Sequence, residues 1–65
     1  MIKFKINDVF NLYGEGDFKV IKRTDKTITL EYSKFEIVLG KFRRKIFTQD
    51  NHEYIKFLGY YLIAQ

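Results

Sequence analysis

The chain has 65 residues, a net charge of +4 and 18% aromatic residues, with no Cys, Pro or Trp. This length leaves room for one domain over residues 1–65 with a thin core. Without Cys, neither disulfides nor a thiolate zinc site can stabilise a domain this small, so we expect aromatic side chains to fill its core. The chain has no apolar leader and no apolar run near the roughly 20 residues of a membrane helix, which favours a soluble, cytoplasmic protein without a membrane partner.

The first residues alternate between apolar and basic side chains. Ile2, Phe4 and Ile6 are separated by single lysines, which predicts a first strand with one solvent-exposed face. Asp8 then either caps a single helical turn over residues 9–13, ended by Gly14, or precedes a short strand. The sequence leaves both alternatives open.

Residues 18–32 predict a β-hairpin that reverses at residues 24–26, because apolar and polar side chains alternate on its second arm. A three-residue loop places apolar pairs on one face and an ion pair on the other. The expected pairs are Val20 with Leu30, Phe18 with Tyr32, and Lys19 with Glu31.

A second hairpin is predicted over residues 35–58. Its first arm is a long strand from Phe35 to residue 48 that Gly40 bends or bulges, and its turn is residues 49–52, where Asp and Asn tolerate left-handed geometry. The expected pairs are Ile46 with Ile55, Phe47 with Tyr54, and Lys45 with Lys56.

Residues 60–64 predict a last strand with few polar positions. If this strand is an edge, its apolar side chains favour a homodimer; if it is central, they are covered within one chain. The residues expected to form the dimer contact are Tyr60, Tyr61, Leu62 and Ile63.

Together these segments predict an all-β fold of about four to six short strands with at most one short helical turn. The expected architecture is a single small antiparallel, strongly bent sheet or a barrel of Src-homology-3-like or oligonucleotide-binding type. The small size favours the Src-homology-3-like form. The sequence does not indicate which strand closes the barrel.

Three segments resemble a pattern in small, largely uncharacterised proteins of phages and other mobile elements. They are residues 20–29 with their Lys-Arg-Thr-x-Lys hairpin, then Arg43-Arg44-Lys45-Ile46, then Glu53-Tyr54-Ile55. The resemblance transfers no functional residue. It implies a phage or prophage protein acting in the cytoplasm of a bacterial host, where it binds nucleic acid or, like anti-CRISPR proteins, inhibits a host defence protein.

The side chains needed for catalysis are too few. Ser33 and His52 are the only serine and the only histidine, and they are predicted in separate turns, so no nucleophile and base come together. One histidine without cysteine cannot form a tetrahedral zinc site. We therefore predict a protein that is not an enzyme, with no cofactor and no metal.

Two basic segments carry the excess charge. Residues 18–26 hold four cations and one acid, and residues 41–48 hold four cations and no acid. Aromatic side chains lie between these cations and predict a platform for nucleic acid, while an acidic protein surface is an alternative partner. A further alternative is that the aromatic rings complete the core and the cations are only solvated.

The predicted platform places Arg44 on the face opposite the other second-hairpin residues, beside Phe42 and Ile46. The candidate binding residues are Lys41, Arg43, Arg44, Lys45, Phe47, Tyr54, Lys56, Lys22, Arg23 and Lys26.

Overall fold

A computed structural model describes residues 1–65 as seven antiparallel strands and no helix, which confirms the all-β prediction. The strands form a four-stranded sheet of order β1-β2-β3-β4 and a three-stranded sheet of order β5-β6-β7. No helix is present that is long and apolar enough to cross a membrane. The strands are β1 (Val9–Leu12), β2 (Gly16–Arg23), β3 (Thr27–Lys34), β4 (Ile37–Lys45), β5 (Phe47–Gln49), β6 (His52–Phe57) and β7 (Tyr60–Ile63).

The predicted single sheet or closed barrel of fewer strands is not what forms. The long bent strand divides at Ile46: β4 ends the first sheet, β5 begins the second, and no strand of one sheet pairs with a strand of the other. The backbone N–H of Ile46 still donates to the carbonyl of Lys26 at 2.8 Å, so the chain leaves the first sheet at this point. The result is two packed sheets with open edges.

The central hairpin confirms the predicted pairs of Phe18 with Tyr32 and Val20 with Leu30. The predicted reversal at residues 24–26 is confirmed, because β2 ends at Arg23 and β3 begins at Thr27. The sequence did not predict the bulge at Ile21, an extra residue that shifts the register by one between Val20 and Lys22. Lys19 lies opposite Glu31 as predicted, yet the two side chains form no salt bridge.

The core lies between the two sheets, and Phe rings from both sheets meet in it. Phe57 of β6 lies 4.9 Å from Phe18 of β2 and 4.4 Å from Phe42 of β4, measured between ring centroids. Such pairs contribute about 0.5–1.5 kcal/mol beyond the area they bury. The buried apolar residues are Phe4, Phe18, Val20, Ile28, Leu30, Ile46, Ile55, Phe57, Leu62 and Ala64.

The predicted first strand is wrong. Residues 2–6 form only one isolated parallel bridge, between Ile2 and His52. Phe4 is buried, but its N–H donates to the Glu53 side chain and its carbonyl accepts from Arg23, so side chains take the place of a strand partner. Phe4 and Glu53 are 49 residues apart in the chain, so a local sequence pattern could not predict their hydrogen bond.

The alternative left open at Asp8 is decided in favour of a strand, β1. Asn7 is left-handed with a φ of 78°, and the Asp8 carboxylate accepts a hydrogen bond from the N–H of Lys5 at 2.8 Å. Asp8 therefore closes a turn before the strand rather than capping a helix.

The β3–β4 connection also differs from the prediction. Phe35 and Glu36 are left-handed, with φ of 53° and 65°, so they form a tight hairpin turn and β4 starts only at Ile37. Ser33, expected in a turn, lies in β3. The bulge predicted near Gly40 is present, because Tyr32 pairs with Gly40 and Ser33 with Val38.

Phe35 is 87% exposed and begins an apolar tip that continues through the exposed side chains of Ile37, Val38 and Leu39.

The β5–β6 hairpin confirms the pairing of Phe47 with Tyr54. Asp50 and Asn51 are both left-handed, with φ of 52° and 66°, as a two-residue hairpin turn requires. Lys45 pairs with Thr27 of β3 and not with Lys56, because it still belongs to the first sheet. Strand β7 is an edge of the second sheet, so the alternative of a central last strand is wrong.

Candidate functional site

The outer face of the four-stranded sheet collects cations from two strands, β2 and β4, which lie on either side of β3. Ile28 and Leu30 of β3 are buried, so the residues between them face outward together with the residues that pair with them. Lys41 of β4 and Lys19 of β2 flank Glu31, while Arg43 and Lys22 flank Thr29, and Lys45 pairs with Thr27. We call the exposed cations on this surface the basic face: Lys19, Lys22, Lys41, Arg43 and Lys45.

The basic face has little opposing charge. Glu31 is the only acid that pairs directly with any of its residues. The only salt bridge in the structure joins Arg23 to Glu53, so no carboxylate lies within 4.0 Å of a basic-face cation. Five cations with one acid among them and no salt bridge produce a positive potential on this face, and that potential attracts anions.

An aromatic cluster adjoins the basic face at Lys45. The Lys45 Nζ lies 5.4 Å from the centroid of the Phe47 ring, and the Lys56 Nζ lies 5.0 Å from the same centroid. Phe47 stacks on Tyr54 at 5.5 Å, and Tyr54 meets Tyr61 edge-on at 5.8 Å. We define the aromatic cluster as Phe47, Tyr54 and Tyr61. The sequence left open the alternative that the aromatic rings complete the core. These rings are not part of the buried core, because Phe47 and Tyr54 are half-buried and Tyr61 is 63% exposed.

An open cleft of about 620 Å³ lies on the same side of the three-stranded sheet as the aromatic cluster. His52 is fixed at its wall, since its Nδ1 lies 3.1 Å from the carbonyl oxygen of Ala64. The residues that line it are Gln49, Asp50, His52, Tyr54, Lys56, Tyr61 and Ile63. The sequence did not reveal this cleft, because it forms only when β5, β6 and β7 lie side by side.

Arg44 lies on the opposite face of β4, beside Phe42, as the sequence predicted. Its guanidinium carbon is 4.7 Å from the centroid of Phe42 and 5.3 Å from that of Phe57. Its Nη1 donates to the carbonyl of Arg43 at 2.9 Å. The side chain is therefore half-buried and held in one orientation, apart from the basic face.

Arg23 is placed differently from the other candidate residues. Its Nη1 and Nη2 donate to the two carboxylate oxygens of Glu53 at 2.6 Å and 2.9 Å, and Nη1 also donates to the carbonyl of Phe4 at 2.8 Å. The Glu53 residue is only 3% exposed. Arg23 thus links β2, β6 and the first residues of the chain, and its guanidinium is not part of the basic face.

The electrostatics of this pair follow from its hydrogen bonds. The hydrogen bond from Arg23 lowers the pKa of Glu53, and the N–H of Phe4 adds to that effect, while burial acts in the opposite direction. The hydrogen bond to Glu53 raises the pKa of Arg23. Glu53 was not among the predicted residues, although an acid two positions before Ile55 on the inward side of a strand is a signal for a buried ion pair.

The remaining candidate, Lys26, is exposed in the β2–β3 turn and lies outside the paired rows of the basic face. The structure therefore brings together Lys22, Lys41, Arg43 and Lys45 with Phe47, Tyr54 and Lys56, and it separates Arg23, Lys26 and Arg44 from them. Lys19 joins the face without having been predicted as a site residue. Its register opposite Glu31 was the available signal.

Comparisons with known proteins do not extend this picture. No protein-family model, curated protein or solved structure matches the chain. The resemblance to phage and mobile-element proteins stays a prediction.

Proposed function

We propose that the protein is a non-enzymatic binding module that holds a single-stranded nucleic acid across its basic face and aromatic cluster. The observation that carries the proposal is their continuity at Lys45, which belongs to the row of outward cations and lies over the ring of Phe47. Phosphates and bases of one strand then find cations and rings on adjacent parts of one surface.

Both kinds of contact have the strength that such a function requires. Each phosphate that meets a lysine or arginine releases counterions, which gives affinity that is independent of sequence. Each base that stacks on an aromatic ring contributes about 1–3 kcal/mol. A single strand exposes both its phosphates and the faces of its bases, whereas a duplex hides the base faces.

The resemblance to phage and mobile-element proteins supports a setting for this activity. A small binding module of this kind acts in the cytoplasm of a bacterial host, on nucleic acid of the phage or of the host. No cofactor or metal enters the proposed mechanism.

Arg44 favours a second candidate function, the inhibition of a host defence protein through an acidic surface. Aromatic rings hold its guanidinium in place at 4.7 Å and 5.3 Å, and a preorganised arginine beside aromatic rings is typical of the residues that dominate protein interfaces. In that case Arg44→Ala alone costs about 2 kcal/mol or more, roughly thirtyfold in affinity, while a neighbouring lysine costs little.

Titration of labelled single- and double-stranded DNA and RNA at about 50 mM and 200 mM salt tests the proposal. With six or more phosphate contacts, affinity falls across this range by about 300-fold or more for single strands and about 10³-fold or more for duplexes. Single strands bind more tightly than duplexes, because their bases can stack on the aromatic rings. Charge reversal at Arg43, Arg44 and Lys45 together abolishes binding to either class of partner. No binding to any nucleic acid at the lower salt eliminates the proposal and leaves the acidic protein surface.

We also propose that two copies of the chain form a homodimer through their last strands. Strand β7 is an edge, and its Tyr61 and Ile63 side chains are exposed while Leu62 is buried. Antiparallel pairing of two β7 strands about Leu62 would place Tyr61 of each copy opposite Ile63 of the other and extend the aromatic surface. Light scattering at micromolar concentration tests this contact, and a measured mass near the 7.9 kDa of one chain would contradict the homodimer.

A further inference from the structure

We infer that the open cleft beside the aromatic cluster selects guanine among the bases of a bound single strand. This inference rests on the proposed function, which it deepens from general strand binding to recognition of one base. The lining combines a ring for stacking, a cation for phosphate and a carboxylate with an amide beside it. The carboxylate is the informative member, because it opposes phosphate binding and suits a base that donates hydrogen bonds.

The cleft can hold a base. Its volume of about 620 Å³ lies within the roughly 300–1,000 Å³ of small-molecule sites. The ring of Tyr61 is 63% exposed at its wall and offers a surface on which a base can stack. Lys56, also in the lining, is exposed and provides a cation for a neighbouring phosphate.

Asp50 supplies the carboxylate. It is the first residue of the two-residue turn between β5 and β6, with a φ of 52°, and it is exposed and forms no salt bridge. Gln49 precedes it on the outward side of β5, two residues after Phe47. The cleft therefore presents two carboxylate oxygens as acceptors and, next to them, an amide that can donate.

Guanine matches this order of groups. Its pairing edge carries the O6 acceptor, then the N1–H donor, then the N2 amino donor, so a carboxylate accepts from both donors while an amide donates to O6. Adenine and cytosine place a ring acceptor beside their amino group, which sets a lone pair against the second carboxylate oxygen. Uracil and thymine have one N–H between two carbonyls. A duplex occupies this edge by base pairing, so only a single strand presents it.

The test compares short labelled oligothymidylates that carry one central guanine, hypoxanthine or adenine, by fluorescence anisotropy at about 50 mM salt. We expect the guanine strand to bind about tenfold or more tightly than the adenine strand, in the range of a bidentate contact to a base. Hypoxanthine lacks the N2 amino group and falls between them. The same order is expected for RNA counterparts, because the base edge is the same.

The matched variants are Asp50→Asn and Asp25→Asn. Asparagine tolerates the left-handed conformation at position 50, so the turn is preserved, and each variant removes one negative charge. We expect Asp50→Asn to lose the preference for guanine, whereas Asp25→Asn, in the exposed β2–β3 turn, keeps it. Circular dichroism of both variants verifies that the fold is retained.

The outcomes separate the two proposals. Binding of all strands with equal affinity overturns the guanine inference and leaves the strand-binding function intact. A guanine preference that survives in Asp50→Asn also overturns it. The absence of binding to every oligonucleotide at low salt overturns both.

Discussion

Arg23 and the cations of the basic face lie in the same sheet, but only Arg23 forms a salt bridge. Its guanidinium donates to both oxygens of Glu53, a residue that is 3% exposed, whereas no carboxylate lies within 4.0 Å of any basic-face cation. The same type of side chain therefore forms a buried ion pair in one region and remains without a salt bridge in the other. The position of the opposing charge, and not the number of cations, distinguishes the two roles.

The comparison also separates stability from binding. Burial makes the pair of Arg23 and Glu53 expensive to break, because the remaining partner would be left as an unpaired charge. Removal of an exposed cation should change the free energy of unfolding by only about 0.5 kcal/mol or less, because no buried group loses a partner. Substitutions in the two regions should therefore change different measured quantities.

The largest effect is expected for Glu53→Ala. It leaves Arg23 without its partner and the N–H of Phe4 without an acceptor, so we expect a loss of about 3–5 kcal/mol in the free energy of unfolding, measured with urea. Glu31→Ala is the matched control, since Glu31 forms no salt bridge, and it should change stability by about 0.5 kcal/mol or less. Equal losses in the two variants would contradict the structural role of the pair.

Acid should weaken the protein through the same residue. The pKa of Glu53 is lowered in the folded state below its ordinary value of 4.5, so its contribution is fully present above that value and is lost as pH falls through the folded pKa. We expect the free energy of unfolding to decrease as the pH is taken from about 6 to 3. Glu53→Gln cannot titrate and should show a shallower decrease, and an identical pH dependence in both proteins would oppose this explanation.

A smaller effect is expected for Arg44→Ala. The contact of its guanidinium with Phe42 and Phe57 contributes about 0.5–2 kcal/mol to stability, because cation–π contacts strengthen as they lose water. Arg43→Ala, on the exposed basic face, should leave the thermal midpoint nearly unchanged. If Arg43→Ala destabilises the protein more than Arg44→Ala does, the assignment of the two neighbouring arginines to different faces is wrong.

The parts of the fold that the sequence predicted are those in which local rules and tertiary contacts agree. The pairing of Phe18 with Tyr32 and of Phe47 with Tyr54 follows from alternation and from turn residues that tolerate their geometry. The left-handed turn at Phe35 and Glu36 contains neither Gly nor Asn, so nothing local marks it.

Long-range contacts explain the other differences. Alternation over residues 2–6 indicates a strand, but Phe4 is held by side chains of Arg23 and Glu53, so no strand partner is needed. The pairing of Arg23 with Glu53 also explains why the sequence suggested Arg23 as a binding residue. A count of cations takes no account of an acid on the inward side of β6. Of the candidate site, the second basic segment could be predicted from spacing, while Lys19 and the cleft required the pairing of the strands.

The central claim is that the unpaired cations of the basic face bind phosphates, and a pair of variants with equal charge tests it most directly. Lys41→Ala with Arg43→Ala removes two cations from the basic face, while Lys3→Ala with Lys5→Ala removes two exposed cations from the first residues of the chain. The measurement is the slope of log affinity for a single-stranded oligonucleotide against log salt concentration.

We predict that the basic-face variant reduces the magnitude of this slope by about 1.4, which corresponds to about 0.7 for each lost phosphate contact, whereas the variant at positions 3 and 5 leaves the slope unchanged. Equal slopes in the two variants would show that only net charge matters and would contradict the claim.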